Sequence, residues 1–412
     1  MNLVEDLKWR GLLYQVTDED VLQKLNEGKL TFYLGADPTA DSLHIGHLLA
    51  YLVAKRLMEK GNQPILVIGG GTGLVGDPSF KKSERSLLTI EESLKNAEGI
   101  KKQVVKILPT AKIVNNYDWI SSLNAIEFLR DVGKNFNVTY MMNKDSVKSR
   151  IENGISFTEF AYQILQAWDF EYLFKNHGCS LQIGGQDQWG NITAGLELIR
   201  KVHSSEVNAY GLTFPLVTKS DGTKFGKTES GAVWLDKEKT SPYEFYQYWI
   251  NTADDDVILR LKQFTFLSKE EIEALEVEVN GSPEERVAQK VLAEKVTELV
   301  HGATELDKAI KVTNALFSGN IKDLEVDEIE MGFKGLTTVE SNEELSLMDA
   351  LIAVELVKSR REAREMISNG AVSVNGDKVQ DLDFVLKSAN AFGKKYSILK
   401  KGKKRYALVK HL

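Results

Sequence analysis

Leu30-Thr31-Phe32-Tyr33-Leu34-Gly35-Ala36 reads LTFYLGA, a short apolar run of the kind that is buried as a strand. A helix is predicted behind it. From Ile45 to Lys60 the residues Leu48, Leu49, Leu52, Val53 and Leu57 recur at helical spacing, and Gly61 supplies the stop. Pro64-Ile65-Leu66-Val67-Ile68 is a second apolar run of strand length. Strand, helix and strand in about 40 residues form a crossover, which predicts parallel strands and a ligand at their carboxyl ends. Leu181-Gln182-Ile183 is a third strand candidate, followed by Gly184-Gly185 and a helix from near Asp187. The expected fold class is therefore α/β with a parallel sheet.

Working outward, 412 residues are too many for one ordinary domain. Pro242 to Leu316 is rich in Glu, Lys, Leu and Ala at helical spacing, and predicts a helical domain. The acidic, glycine-containing run from Lys322 to Glu344 reads as a linker. Beyond it, Leu347 to Glu355 and Ser359 to Ser368 form a helix-turn-helix pattern closed by Gly370, and Ala371 to Val379 alternates like strands around an Asn375-Gly376 turn. The expected division is an α/β domain over 1–220, a helical domain with a glycine-lysine loop at its start over 221–321, a linker over 322–345 and a small α+β domain over 346–412.

Composition narrows the classes. With 42% apolar and 27% charged residues the chain is neither disordered nor collagen-like. Cys179 is the single cysteine, so no internal disulfide or cysteine zinc cluster is possible, and a reducing cytoplasm is expected. No apolar stretch approaches membrane-spanning length, and the opening MNLVEDLKWR lacks the charged-then-apolar order of a leader. The net charge of −7 argues on average against a nucleic-acid partner. That average conceals a reversal: Ser268 to Leu345 holds 8 basic and 19 acidic residues, whereas Ser346 to Leu412 holds 14 basic and 7 acidic, a net +7.

Two glycine motifs mislead. Gly71-Thr72-Gly73-Leu74-Val75-Gly76 fits G-x-G-x-x-G, but Asp77-Pro78 follows where a dinucleotide site needs a helix N-terminus. Gly222-Thr223-Lys224-Phe225-Gly226-Lys227-Thr228 is one residue short of a P-loop and lies in a polar stretch. Its two lysines could still reach a triphosphate from a flexible loop. His44-Ile45-Gly46-His47 sits at the first turn of the predicted helix, where two histidines at i and i+3 share a face and free amides meet an anion. Gly46 removes a side chain where a flat base or ribose could rest. A metal pair and a pair of capping or core histidines are the competing readings; no acidic residue or cysteine is spaced to complete a metal site.

Together the two stretches resemble the paired signatures of class I aminoacyl-tRNA synthetases, HIGH on the first crossover and a KMSKS-type loop after the last strand. The resemblance is closest to the bacterial tyrosyl-tRNA synthetases. It runs through Tyr33-Leu34-Gly35-Ala36-Asp37-Pro38-Thr39, Gly76-Asp77-Pro78-Ser79, Gln166-Ala167-Trp168-Asp169-Phe170, Gly184 to Asn191 (GGQDQWGN) and Lys224 to Thr228. The tail resembles a small RNA-binding module of a ribosomal small-subunit protein, so the likeness covers essentially the whole chain. Five blocks in the right order are specific where each alone is not.

The resemblance implies a Rossmann-like catalytic domain, an anticodon-side helical domain and an RNA-binding tail. It also implies ligation of L-tyrosine to tRNA(Tyr) through a tyrosyl-adenylate, with ATP and Mg²⁺ as substrate and no resident metal site, in a cytoplasmic homodimer. His44, His47 and Thr39 would donate to the phosphates, and Lys224, Lys227 and Thr228 would clamp pyrophosphate with Lys81 and Arg85. Tyr33 and Asp169 would bind the phenolic hydroxyl, and Asp77, Tyr162 and Gln166 the ammonium, with Gln188 nearby. Gly35, Asp37, Gly46, Gly185, Asp187 and Lys227 would meet the adenylate. In the tail, Arg360, Arg361 and Arg364 share a helix face and Lys401, Lys403, Lys404 and Arg405 form a basic ribbon suited to RNA phosphates. Phe80 and Gln186 depart from the family's more usual small residue and Ser, which leaves Lys81 and Lys82 as alternative phosphate contacts. Apolar residues around Phe136 and Phe157 are expected at the dimer interface. The rival readings are a tryptophan-specific enzyme, which shares both signatures, and a non-catalytic RNA-binding regulator, in which they would be degenerate.

Overall fold

The computed structural model describes residues 1–79, 88–144, 147–148, 154–218, 225–228, 231–318, 320–402 and 405–412, the side chains of Lys227 and Thr228 excepted. Lys81, Lys82, Arg85, Lys224, Lys403 and Lys404 lie outside the described residues. Two compact units divide the chain, one of Met1–Asp236 with Thr252–Leu292 and the other of Lys237–Asn251 with Ala293–Leu412.

Six strands build the sheet of the first unit: β1 Gln15–Val16, β2 Thr31–Ala36, β3 Gln63–Ile68, β4 Lys112–Asn115, β5 Leu181–Gly185 and β6 Tyr210–Phe214. Their order is β1-β6-β5-β2-β3-β4, with β6 to β4 parallel and β1 antiparallel on the edge. The chain turns one way from β2 to β3, whereas β5 lies on the other side of β2. The crevice at the carboxyl ends of β2 and β5 is therefore the topological switch point at which such sheets bind ligands.

The longer helices before residue 203 are α1 Leu3–Trp9, α2 Asp20–Glu27, α3 Ile45–Glu59, α4 Ile90–Ile107, α5 Phe157–His177 and α6 Trp189–Val202. The β2-α3-β3 crossover occupies the expected residues to within one or two positions. Strand β5 reaches Gly185, and a single 3₁₀ turn over Gln186–Gln188 delays α6 to Trp189. Tyr33, Ile65 and Val67 pack against Phe170 and Leu173 of α5 and Ile192 and Leu196 of α6 in one buried cluster. After α7 Pro242–Ile250, which belongs to the second unit, α8 Asp254–Phe264 and α9 Lys269–Gly281 return to the first. Buried Arg10 and Arg56 share Asp6 and both donate to the Thr265 carbonyl, which fastens α1 and α3 to the end of α8.

The second unit departs from the expected boundaries. Helix α10 Val287–His301 runs from the first unit into the second, and α11 Ala303–Ser318, α12 Val326–Gly332 and the strand Thr338–Ser341 follow it. The stretch 322–345, expected as a linker, is thus structured: Ile329 and Phe333 bury against Val312, Ile398 and Leu408, and the strand Thr338–Ser341 pairs in parallel with the strand Arg405–His411. Acidic residues on the outer face of α12 disguised its apolar side. The expected helical domain over 221–321 is likewise divided, with 252–292 in the first unit. Helices α13 Leu347–Ala353 and α14 Arg360–Ser368 follow, the former stopping two residues early because Glu355 takes a left-handed φ of 57°. Val372–Val374 and Asp377–Lys378 form the expected hairpin, with Asn375 and Gly376 at φ 51° and 91°.

Candidate active site

A cavity of about 280 Å³ opens at the carboxyl ends of β2 and β5. Tyr33, Gly35, Asp37, Thr39, Gly46, His47, Asp77, Tyr162, Gln166, Asp169, Gly185, Asp187 and Gln188 all line it. These residues come from five separate stretches of chain, and the fold brings them to one place.

Asp169 is 3% exposed, and both of its oxygens are engaged. Asn116 Nδ2 donates to Oδ2 at 2.8 Å, and Trp119 Nε1 donates to Oδ1 at 2.8 Å. Burial pushes its carboxyl up to about 7, against the two donors, which pull it down. Tyr33, 2% exposed, has a buried hydroxyl with no hydrogen-bond partner among the described residues; burial and the nearby Asp169 hold its phenol well above the ordinary range. A buried, unpaired hydroxyl costs roughly 1–3 kcal/mol, so this end of the cavity favours a ligand that offers it a polar partner.

A second network lines the middle. Tyr162 Oη donates to Asp37 Oδ2 at 2.9 Å, and Thr72 Oγ1 donates to Asp37 Oδ1 at 2.7 Å. Gln188 Nε2 donates to Asp77 Oδ2 at 2.9 Å, while Asn191 Nδ2 reaches both Gln166 Oε1 and Gln188 Oε1, at 3.0 and 3.1 Å. Tyr162 and Gln166 stand one turn apart on α5, as their i and i+4 spacing required. Burial raises the Asp187 carboxyl. The glycines after β3 have a local explanation that needs no dinucleotide. A Cβ at Gly69 would lie 2.1 Å from Asp37 Oδ1, and one at Gly73 would lie 3.1 Å from Pro38 Cδ. Residues 72–74 make a single 3₁₀ turn.

His44 is the N-cap of α3: its Nδ1 accepts from the Gly46 amide at 3.0 Å, and its ring stacks on His47 with centroids 3.8 Å apart. His47 lines the cavity, whereas His44 does not. The lysine-bearing segment is joined to this turn by the backbone. The Ile45 amide donates to the Val233 carbonyl at 2.9 Å, and the Leu235 amide to the Leu43 carbonyl at 2.8 Å. Short strands Lys227–Thr228 and Gly231–Ala232 pair just before it. Two motifs about 180 residues apart therefore meet at the first turn of α3.

Sequence reasoning missed Thr72, Asn116, Trp119 and Gln182. Gln182 lines the cavity from the middle of an otherwise apolar strand, which was its available signal; Asn116 follows an apolar run at the end of β4. Trp119 offered none, because an indole donor and a packing side chain look alike in sequence.

In the tail, Arg360, Arg361 and Arg364 are exposed on α14, and Arg360 Nη2 donates to Asp349 Oδ1 at 2.6 Å. Lys401 departs from its expected place in an RNA-facing ribbon. Its ammonium is turned inward to Glu362 Oε1 at 2.6 Å and the Leu356 carbonyl at 3.0 Å, so it fastens α14 to the sheet. Arg405 Nη2 donates to the Glu355 carbonyl at 3.2 Å.

Known proteins resemble the chain over essentially its whole length. The family model described as tRNA synthetases class I (W and Y) matches residues 25–318, and that of the tyrosine–tRNA ligase SYY-like C-terminal domain matches residues 328–409. The chain is 56% identical over 419 residues to the tyrosine–tRNA ligase of Geobacillus stearothermophilus, with all of both chains covered. It is 55% identical over 417 residues to tyrosine–tRNA ligase 1 of Bacillus subtilis strain 168, with 99% of each covered. Among solved structures, it is similar to a C-terminally truncated mitochondrial tyrosyl-tRNA synthetase from Aspergillus nidulans. The TM-score is 0.68 at 35% identity, covering 77% of this chain and 94% of that one.

Proposed function

The chain belongs to the class I tRNA synthetases of the tryptophan and tyrosine kind, within them to the tyrosine–tRNA ligases, and from that premise we propose how its pocket divides the work. It ligates L-tyrosine to tRNA with ATP as a substrate. First, a carboxylate oxygen of tyrosine attacks the α-phosphorus of ATP, the α–β phosphate bond breaks and pyrophosphate leaves. Then a hydroxyl of the 3′-terminal adenosine of tRNA(Tyr) attacks the acyl carbon, and AMP leaves. The first nucleophile is already ionised, so catalysis is positioning plus stabilisation of charge on the phosphates.

One observation carries the choice of amino acid: the Asp169 carboxylate, held on both oxygens, beside the unpartnered buried hydroxyl of Tyr33. A tyrosine phenol supplies both groups with a partner; phenylalanine leaves them without one, and an indole offers no oxygen to Tyr33. Asp77, Tyr162 and Gln166, with Gln188, hold the ammonium group. Gly35, Asp37, Gly46, Gly185 and Asp187 meet the adenylate. His44, His47 and Thr39 donate to the phosphates, and Lys224, Lys227 and Thr228 clamp the pyrophosphate with Lys81 and Arg85. Mg²⁺ enters with ATP as part of the substrate.

The tRNA is bound by the second unit, through Arg360, Arg361 and Arg364 and through Lys403, Lys404 and Arg405. A second copy of the chain covers the apolar residues Ile126, Leu129, Val138 and Phe157, which are 57% to 75% exposed, in a homodimer. Phe136 is instead partly buried against Val132 and Leu198 and contributes little to that face. Among the described residues no helix is long and apolar enough to cross a membrane, and the enzyme works in the cytoplasm.

Amino-acid-dependent exchange of labelled pyrophosphate into ATP tests the reading. Exchange with tyrosine is expected. Exchange with tryptophan alone would overturn the pocket assignment, and no exchange with any amino acid would overturn the enzyme.

A further inference from the structure

Arg260 is 2% exposed in the middle of α8, on the face that buries Val257, Leu261 and Phe264. An apolar side chain would fill that position at no desolvation cost, so a guanidinium there requires an explanation. Its contacts supply one. Nη1 donates to Gln263 Oε1 at 2.8 Å, and Nη2 reaches Asp256 Oδ1 at 3.3 Å and the carbonyl of Thr218. Its Cζ lies 4.9 Å above the ring of Phe225, which stacks on Phe264 with centroids 5.3 Å apart. Thr218 and Phe225 are the described residues on either side of 219–224, so one buried group holds both a residue ahead of the lysine motif and one within it.

The far side of the motif is fixed as closely. Gly226 has φ +84°, and a Cβ there would lie 3.1 Å from Ile45 Cγ1 and 3.2 Å from the Gly46 amide nitrogen. The chain that leads into Lys227 thus passes directly over the first turn of α3. A shift of Phe225 would carry Gly226 off that turn, or drive it in.

We propose that Arg260 is a positioning residue for adenylate formation: by tying Thr218 and Phe225 to one buried point on α8, it sets where Lys227 arrives relative to the His44–His47 turn. The proposal rests on the assignment of Lys227 to the leaving pyrophosphate.

A double-mutant cycle on the full chain separates the two claims, with the single-turnover rate of tyrosyl-adenylate formation as readout. Arg260→Lys should slow that rate about 10- to 100-fold, the scale of a lost charged hydrogen bond, with the tyrosine dissociation constant changed less than about twofold. In the Lys227→Ala background the same substitution should slow it by less than about twofold, because a misplaced lysine cannot matter once removed. Losses that multiply in the double variant, or a parallel loss of tyrosine binding, would show Arg260 to be merely structural. A wild-type rate in Lys227→Ala alone would overturn the lysine assignment instead. Should Arg260→Lys not fold, Phe225→Leu removes the ring beneath the guanidinium and runs through the same cycle with the same criteria.

Discussion

Trp119 Nε1 donates to Asp169 Oδ1 at 2.8 Å while its indole lies flat on Tyr172, ring centroids 4.4 Å apart at 13°. The carboxylate proposed to read the substrate is therefore aimed from behind by a side chain that does not line the cavity. Trp119→Phe keeps the stack and deletes the donor. Steady-state kinetics should show kcat/KM for tyrosine reduced by about tenfold or more, with KM for ATP unchanged. Equal loss for both substrates would point to a general disturbance of the fold.

The same carboxyl sets a pH dependence. Its folded value of about 7 lies far above the ordinary aspartate range, so the folded protein holds a proton that the unfolded chain has released. The stability contributed by that proton is fully present below about pH 4 and is lost as pH rises through about 7. Denaturant titrations from pH 4 to 8 should show a fall in stability that is absent in Asp169→Asn. Activity runs the opposite way: kcat/KM for tyrosine should rise through about pH 7 as the carboxylate becomes able to accept from the phenol. Asp169→Asn should flatten that limb at a low level.

Lys227→Ala removes a cation proposed to act only as charge builds on the departing pyrophosphate. Adenylate formation should fall on the order of 10²- to 10³-fold. Equilibrium dialysis should find tyrosine binding unchanged, since the groups around Asp77 and Asp169 are untouched. A normal kcat would remove Lys227 from the mechanism.

Removing the whole tail is a poor test of RNA binding. Ile398 and Leu408 complete the core around Ile329 and Phe333, and deletion would uncover it. The double substitution Arg361→Ala with Arg364→Ala alters an exposed face instead. tRNA affinity should weaken, and the slope of log K against log salt should become shallower by roughly 1–2. Pyrophosphate exchange should stay at the wild-type level. An unchanged salt slope would take α14 out of the RNA contact.

Much of the first unit was legible because periodicity is a local property. LTFYLGA and PILVI are apolar on both faces, as a parallel sheet covered by helices demands, and the stop at Gly61 needs no distant partner. Tyr162 and Gln166 could be assigned to one face because the helix alone sets their spacing. The second unit resisted for the converse reason. Residues 322–345 carry an acidic outer face, and Thr338–Ser341 becomes a strand only because Arg405–His411, some 70 residues later, offers it an edge. Lys401 likewise looked like one more exposed cation until Glu362 and the Leu356 carbonyl closed on it.

The crossover, the two signature motifs and the charge reversal that sets a +7 tail against an acidic connector could all be read before any fold was known, since composition and spacing are written in the chain. Which polar groups face one another emerged with the packed fold. It set Trp119 and Asn116 against the two oxygens of Asp169, left the Tyr33 hydroxyl unpaired, and put Arg260 between Thr218 and Phe225. A hydrogen bond or a buried charge takes its energy from a partner at about 3 Å, and residues 42 to 53 positions apart reach that distance only once the sheet and its helices are packed.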